Sequence, residues 1–364
     1  MVEWKKLGEV CGLERGVRVI KKDLQQEGLI PVYQNSLVPL GFFNKSNYPP
    51  NTPFVICAGA AGEVGFCSKL FWAADDCTCI LCSPSIDNKY IYYCLLVNQH
   101  TLKSQVRKAS VPRLSKDVIS KLIIPIPSLS EQQRIVGILD TFTSSIENLK
   151  EQIAQRRKQY EFYRDQLLDL EGKEGVEIAP LRRIVKSYYT GATPNKGHLE
   201  YYESGTIPWL RTQDVKFNEI FEIDSFVTEE AVAKTGVKWI PANCVIVAIS
   251  GATAGRCAIN KIPTTTNQHC LNLEINPNKA LYKYVYYCVY NAYSDMISKK
   301  QGARGDLNSS IILGITIPVP SLSEQQRIVS ILDTFEASIR NLEQQLAQRE
   351  KQYEYYRNKL LTFE

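Results

Sequence analysis

The chain has 364 residues, enough for two domains of ordinary size, each with its own core. With 44% hydrophobic and 22% charged residues it reads as folded protein throughout, and a net charge of +5 permits phosphate binding without demanding it. The opening Met1-Val2-Glu3-Trp4 lacks the apolar stretch of a signal peptide, and the longest apolar run, near Tyr90 to Val97, is too short to cross a bilayer, so a cytoplasmic protein without membrane contact is expected.

In chain order, residues 1–126 read as a first globule. Short β-branched and aromatic runs such as Pro53-Phe54-Val55-Ile56 alternate with Gly, Pro and Asn turns, which predicts a small α/β domain with a twisted, antiparallel or mixed sheet. Cys79-Ile80-Leu81-Cys82 has C-x-x-C spacing, but no second pair completes a zinc site, and Cys77 and Cys79 fall in a run that reads as a buried strand. The eleven cysteines are expected to be free thiols packed as small hydrophobes, and no metal is expected. A helical stretch follows near Tyr90–His100.

Residues 127–170 read as a long helix. Ser130 is the predicted N-cap, with Gln133 completing a capping box. Ile135, Leu139, Phe142, Ile146, Leu149, Ile153, Tyr160, Tyr163 and Leu167 step by four and three, interrupted only by Arg156, which is a heptad seam. About 38 helical residues give an arm of roughly 57 Å. After a linker at 171–177, residues 178–319 form a second globule, with a strand at Cys244-Val245-Ile246-Val247-Ala248-Ile249 and a helical stretch near Leu281–Ser298. Residues 320–364 form a second arm, with Ser323 and Gln326 as its cap and Arg349 as its interruption.

The two halves repeat. Pro127–Leu168 and Pro320–Leu361 match without a gap at an offset of 193, with 31 identities in 42 positions. The globules repeat more faintly. Gly28-Leu29-Ile30-Pro31 matches Gly205-Thr206-Ile207-Pro208, and Val55-Ile56, Gly65 and Cys67 match Val245-Ile246, Gly255 and Cys257. The second half carries about thirteen extra residues near Thr190–Ser204 or just after Trp209. Near-identical arms do one shared job, and diverged globules do two different ones.

The e positions flanking the seam suggest which helices pair. The first arm offers Lys150 and Arg157, the second Glu336 and Glu343. In an antiparallel pair Lys150 would meet Glu343 and Arg157 would meet Glu336, whereas either arm paired with a copy of itself would oppose like charges. The expected architecture is two α/β globules separated by two long antiparallel coiled-coil helices, with a pseudo-twofold internal repeat.

The glycine-rich segments Ala58–Gly65 and Ser250–Arg256 recur at matched places, and Gly62 and Thr253 within them are candidates for close backbone approach to phosphate. Polar clusters nearby suit base edges: Tyr33, Gln34, Asn35, Asn44 and Lys45 in the first globule, and Arg211, Gln213, Arg256, Asn267, Gln268 and Arg304 in the second. No phosphate-binding loop, paired carboxylates or spaced histidines point to catalysis by this chain.

Two divergent globules, each followed by a long helix opening with P-S-L-S-E-Q-Q-R-I-V, resemble the specificity subunit of Type I restriction–modification systems. Ile124-Pro125-Ile126-Pro127 to Leu139 and Ile317-Pro318-Val319-Pro320 to Leu332 carry the resemblance most specifically. Gly191-Ala192-Thr193-Pro194 with Ile207-Pro208-Trp209-Leu210-Arg211 is similar to the usual start of a target-recognition domain, whereas Gly16 with Ile30-Pro31-Val32-Tyr33 resembles a second subtype. The resemblance implies a non-catalytic subunit whose recognition domains each read one half of a split target in double-stranded DNA. It implies two modification (methyltransferase) subunits docked on the arms, holding S-adenosylmethionine that this chain does not itself bind, and restriction motor-nuclease subunits joining them. The alternative is a coiled-coil scaffold whose globules bind proteins.

Overall fold

A computed structural model describes residues 2–25, 28–299 and 306–363. The chain divides into two compact units, residues 1–152 with 342–364, and residues 153–341. Among the described residues no helix is long and apolar enough to cross a membrane.

The first unit is built on a four-stranded antiparallel sheet in the order Cys11–Arg15, Cys77–Cys82, Thr52–Ile56, Val64–Cys67. All five side chains of Thr52–Ile56 are buried, as a strand covered on both faces requires. A smaller sheet pairs Ile30–Tyr33 antiparallel with Gly41–Phe43 and parallel with Trp72–Ala73. The C-x-x-C pair is split by the pleat. Residues three apart on a strand face opposite sides, so Cys79 lies in one core cluster while Cys82 packs against another and faces Cys11. Burial pushes the Cys77 and Cys79 thiols well above their ordinary range.

The second unit repeats this plan with more strands. Five form one sheet in the order Val185–Thr190, Cys270–Ile275, Val245–Ala248, Cys257–Asn260, Asn218–Ile220. Four form another: Phe226–Val227, Ile207–Leu210, Thr264–Thr266, Trp239–Ile240. The parallel pair Leu210 with Thr266 is the counterpart of Tyr33 with Ala73. The extra residues of this half therefore fall after Trp209: Phe226–Val227 pairs with Ile207–Pro208 as Phe42–Phe43 does with Ile30–Pro31, whereas the helix Glu229–Lys234 has no equivalent in the first unit. Each globule is closed by its own first and last strands, Glu3–Lys6 on Ile123–Ile126 and Glu177–Pro180 on Thr316–Val319.

The long helices run Leu129–Leu168 and Leu322–Thr362. Their caps are not the predicted serines. Ser128 and Ser321 accept the amides of Glu131 and Glu324 at 3.4 and 3.3 Å, so each helix starts one residue before Ser130 and Ser323. S-x-x-E fits the capping rule as well as S-x-x-Q, and the glutamine pattern is answered by another contact. Gln132 and Gln325, 1% and 0% exposed, serve the globules. The Gln132 side chain accepts the Asp87 amide at 2.9 Å and donates to the Pro127 carbonyl at 2.9 Å. Gln325 does the same with Leu281 and Pro320. Asp87 in turn caps the helix Asn88–Val97, accepting from Lys89 and Tyr90. About two turns beyond each glutamine, Asp140 takes Lys89 at 2.8 Å and the Tyr93 hydroxyl at 2.6 Å, and Asp333 takes Lys283 and Tyr287 at the same distances.

Within each unit, half of one long helix packs antiparallel on half of the other. In the first, Phe142 stacks on Tyr356 with centroids 5.4 Å apart, and Arg349 lies over Phe142 at 5.7 Å. In the second, Tyr163 stacks on Phe335 at 5.4 Å, and Arg156 lies over Phe335 at 5.8 Å. The arginines that break the heptad pattern are thus part of the packing, as cation–π partners. The register differs from the one expected from charge. Lys150 meets Glu350 at 3.1 Å, one heptad from Glu343, and Glu336 accepts the Tyr160 hydroxyl at 3.2 Å. Aromatic stacks contribute about 0.5–1.5 kcal/mol beyond their burial, more than an exposed ion pair, and they set the register. Reversing Lys150 and Glu350 singly should change stability by only a few tenths of a kcal/mol, with the double reversal restoring it. Phe142→Ala should cost about 1–3 kcal/mol in denaturant unfolding; an equal or larger effect at Lys150 would contradict this ordering.

Glu336 is mostly buried among Tyr160, Tyr286 and Tyr287, and burial raises its carboxyl above the usual range against the opposing Tyr160 hydrogen bond and Arg340. A raised folded-state value means that the folded protein holds the proton more tightly. Stability from this group is therefore present below about pH 4.3 and falls as pH rises through the folded value. Glu336→Gln, which keeps an acceptor for Tyr160, should raise the melting temperature at pH 8 and lose that advantage at pH 4. A variant less stable than the parent at pH 8 would show that the ionised carboxylate is favoured.

Candidate nucleic-acid interface

In the second unit, five segments gather at one end of the sheets because backbone bonds tie each to the next. Ala192 donates to Thr266 at 2.9 Å, Asn267 to Leu210 at 3.0 Å, Ile249 to His269 at 2.9 Å and Leu307 to Ile249 at 2.7 Å. Gly191 is pressed onto the Thr266 carbonyl so closely that any Cβ would overlap it. This brings together Arg211, Gln213, Thr253, Arg256, Asn267 and Gln268. Arg211 lies with its guanidinium 5.9 Å from the Trp209 ring, and its Nε is buried without a hydrogen-bond partner. Gln213 and Gln268 are exposed, and the Thr193 hydroxyl donates to Gln268. Asn267 is buried and spends its carboxamide oxygen on the His269 amide at 3.1 Å, so it holds the turn rather than facing outward. Arg304 lies outside the described residues.

The first unit has the same scaffold. Gly16 is pressed onto the Ala73 and Ala74 carbonyls, Val17 donates to Ala73, Ala74 to Tyr33, Ala60 to Asn35 and Leu114 to Cys57. Tyr33, Gln34 and Asn35 sit here. Tyr33 packs on Phe54 at 5.0 Å, and burial raises its phenol, with Cys67 adding to the shift. Asn44 and Lys45 do not join them. They follow Phe43, whose register partner is Ile30, at the far end of that strand from Tyr33.

The glycine-rich segments are equivalent turns, matched three residues away from the sequence pairing of Gly65 with Gly255. Gly62 donates to Ile56 and Gly255 to Ala248, both at 2.8 Å and with φ of +87° and +91°. Gly59 and Gly251 likewise share positive φ. Their role is conformational, since L side chains are strained there. A Cβ on Gly62 would meet Lys103 at 2.9 Å, so this glycine packs inward and Thr253 is the more accessible of the two candidates. Where the second turn carries Arg256, the first carries Glu63, paired with Lys103 at 3.7 Å. A common backbone thus presents opposite charge in the two units. Sequence reasoning passed over Arg107, Lys108 and Arg113, which lie on the segment bonded to the first turn through Pro112 and Leu114. Their only signal was a run of cations in a polar stretch.

The model of the Type I restriction modification DNA specificity domain matches residues 1–156 and again 173–351. The specificity subunit of the type I restriction enzymes EcoR124I/EcoR124II of Escherichia coli is 33% identical over 389 residues, covering 100% of this chain and 94% of that protein. A putative type I restriction enzyme specificity subunit of Haemophilus influenzae is 27% identical over 388 residues, covering 100% and 96%. The crystal structure of the type I restriction–modification S subunit from M. genitalium shares the fold, with a TM-score of 0.70 at 19% identity over 99% of this chain and 96% of that one. The repeated globule and helix, the repeated sockets at Gln132 and Gln325, and these matches place the chain in the Type I restriction–modification DNA specificity family.

Proposed function

We propose that this chain is the sequence-specific DNA-binding subunit of a Type I restriction–modification complex, with each loop cluster reading one half of a bipartite target in duplex DNA. The observation that carries the reading is the shared loop scaffold with unlike side chains in the two units, each fixed by the same contacts to a near-identical helix. Same frame and different chemistry is what an asymmetric target requires. The long helices act as spacer and as the docking site for two modification subunits, which hold S-adenosylmethionine and methylate adenine; motor-nuclease subunits complete the restriction complex. This chain supplies no reacting group.

Replacing residues 178–318 by another recognition domain should alter one half of the methylated sequence and leave the other half intact. Sequencing methylated adenines in a host expressing the chain with its partner subunits reads this directly. A swap that changed both halves would defeat independent reading. Arg211→Ala should relax one base position at a cost of about 1–3 kcal/mol if the stacked guanidinium reads guanine; uniform weakening on all sequences would make it a phosphate contact instead. Salt-independent association with duplex DNA would favour a scaffold binding proteins, because phosphate contacts release counterions. The purified chain with S-adenosylmethionine but without partners should transfer no methyl group.

A further inference from the structure

Arg107 and Arg113 are direct partners in an antiparallel bridge. The Arg107 amide donates to the Arg113 carbonyl at 2.8 Å, and the Arg113 amide donates back at 3.1 Å. Directly opposed residues of such a pair project to the same side, with Cβ atoms roughly 5.5 Å apart, and like charges there are destabilising. Both arginines are exposed, and neither makes an ion pair among the described residues. Lys108, also exposed, adds a third cation beside them. The pair is not a loose loop tip. Arg113 also bridges Ala58, with Gly59 donating to Pro112 at 3.2 Å and Leu114 to Cys57 at 2.8 Å, so it is anchored to the glycine-rich turn of the recognition end.

Two exposed guanidiniums carried on one side of a fixed backbone bridge, without an ion-pair partner among the described residues, are a cost to the free protein and an asset to an anion that both can reach. We infer that Arg107 and Arg113 together clamp one backbone phosphate of the duplex. This rests on the DNA-reading function proposed above and adds to it a specific anchoring contact in the first unit. The corresponding place in the second unit does not repeat it. Leu307, which donates to Ile249 as Leu114 does to Cys57, is preceded by Asp306, so the residue in the position of Arg113 is acidic. The clamp therefore also makes the grip on the two half-targets unequal.

The test uses the full chain assembled with its modification subunits and a fluorescent duplex carrying the methylated target. Affinities of the parent, R107A, R113A, R107A/R113A and R107K/R113K are measured across a salt series. One shared phosphate predicts that each single variant loses roughly eight-fold at 0.1 M salt and that the double loses little more, because either loss opens the clamp. The slope of log affinity against log salt should become shallower by about 0.9 in the double variant, the value for one phosphate. The lysine pair should keep the parent slope, and the methylated sequence should be unchanged. Additive losses with a slope change of about 1.8 would mean two separate phosphates and overturn the clamp. So would an unchanged slope, or an altered target sequence. The parent's preference for target over scrambled duplex is read in the same titration. If that preference is missing, the DNA-reading function itself fails; if it is present and the slope does not move, only the clamp fails.

Discussion

The structure hangs on a buried glutamine. Gln132 and Gln325 each occupy a site where an unpaired carboxamide would be costly, and each offers an acceptor to the helix of its globule and a donor to the carbonyl just before its own helix. Asp140 and Asp333 add a second fixing point by taking a lysine and a tyrosine from that same globule helix. A recognition end so attached cannot rotate about its arm without breaking several partly buried hydrogen bonds at once. The identity of the arms at these positions has an intramolecular cause: both globules plug into the same socket, whatever else the arm surface binds.

That socket explains what the sequence reveals and what it hides. The 193-residue offset exposes the repeat, the heptad steps expose the helices, and the family resemblance follows from the motif that forms the socket. The caps are misplaced by two residues because P-S-L-S offers two serines with equivalent patterns, and only the buried glutamine decides between them. The helix register is misread because exposed charge is visible in a heptad diagram, whereas the stacking of Phe142 on Tyr356 requires knowing which rings meet. Gly65 attracts alignment to Gly255 because Gly65-Phe66-Cys67 and Gly255-Arg256-Cys257 share the Gly-x-Cys pattern; positive φ identifies Gly62 as the counterpart. The Arg107–Arg113 bridge is invisible in sequence because two arginines six residues apart become opposed only when the segment folds back.

The two units also differ chemically beneath their shared frame. At the place of Glu336, the first arm has Thr143, so a mostly buried carboxyl with its tyrosine cluster belongs to the second unit alone. Glu63 stands for Arg256 and Arg113 for Asp306 at the recognition ends. Divergence is concentrated where side chains leave the common backbone, and conservation where backbone and arm meet. This is the distribution expected when a fold is held constant while what it binds is changed.

The division of the chain into units has a consequence for how it is made. Residues 153–341 are contiguous, so the second unit has all its parts once Asn341 has been synthesised. The first unit starts earlier but lacks residues 342–364, and Leu361 with Tyr353, Leu360 and Phe363 seals its core. Domains usually fold from the N-terminus during synthesis. Here the order is reversed: the half translated first must wait with an open apolar face, and it closes only after its younger twin is complete.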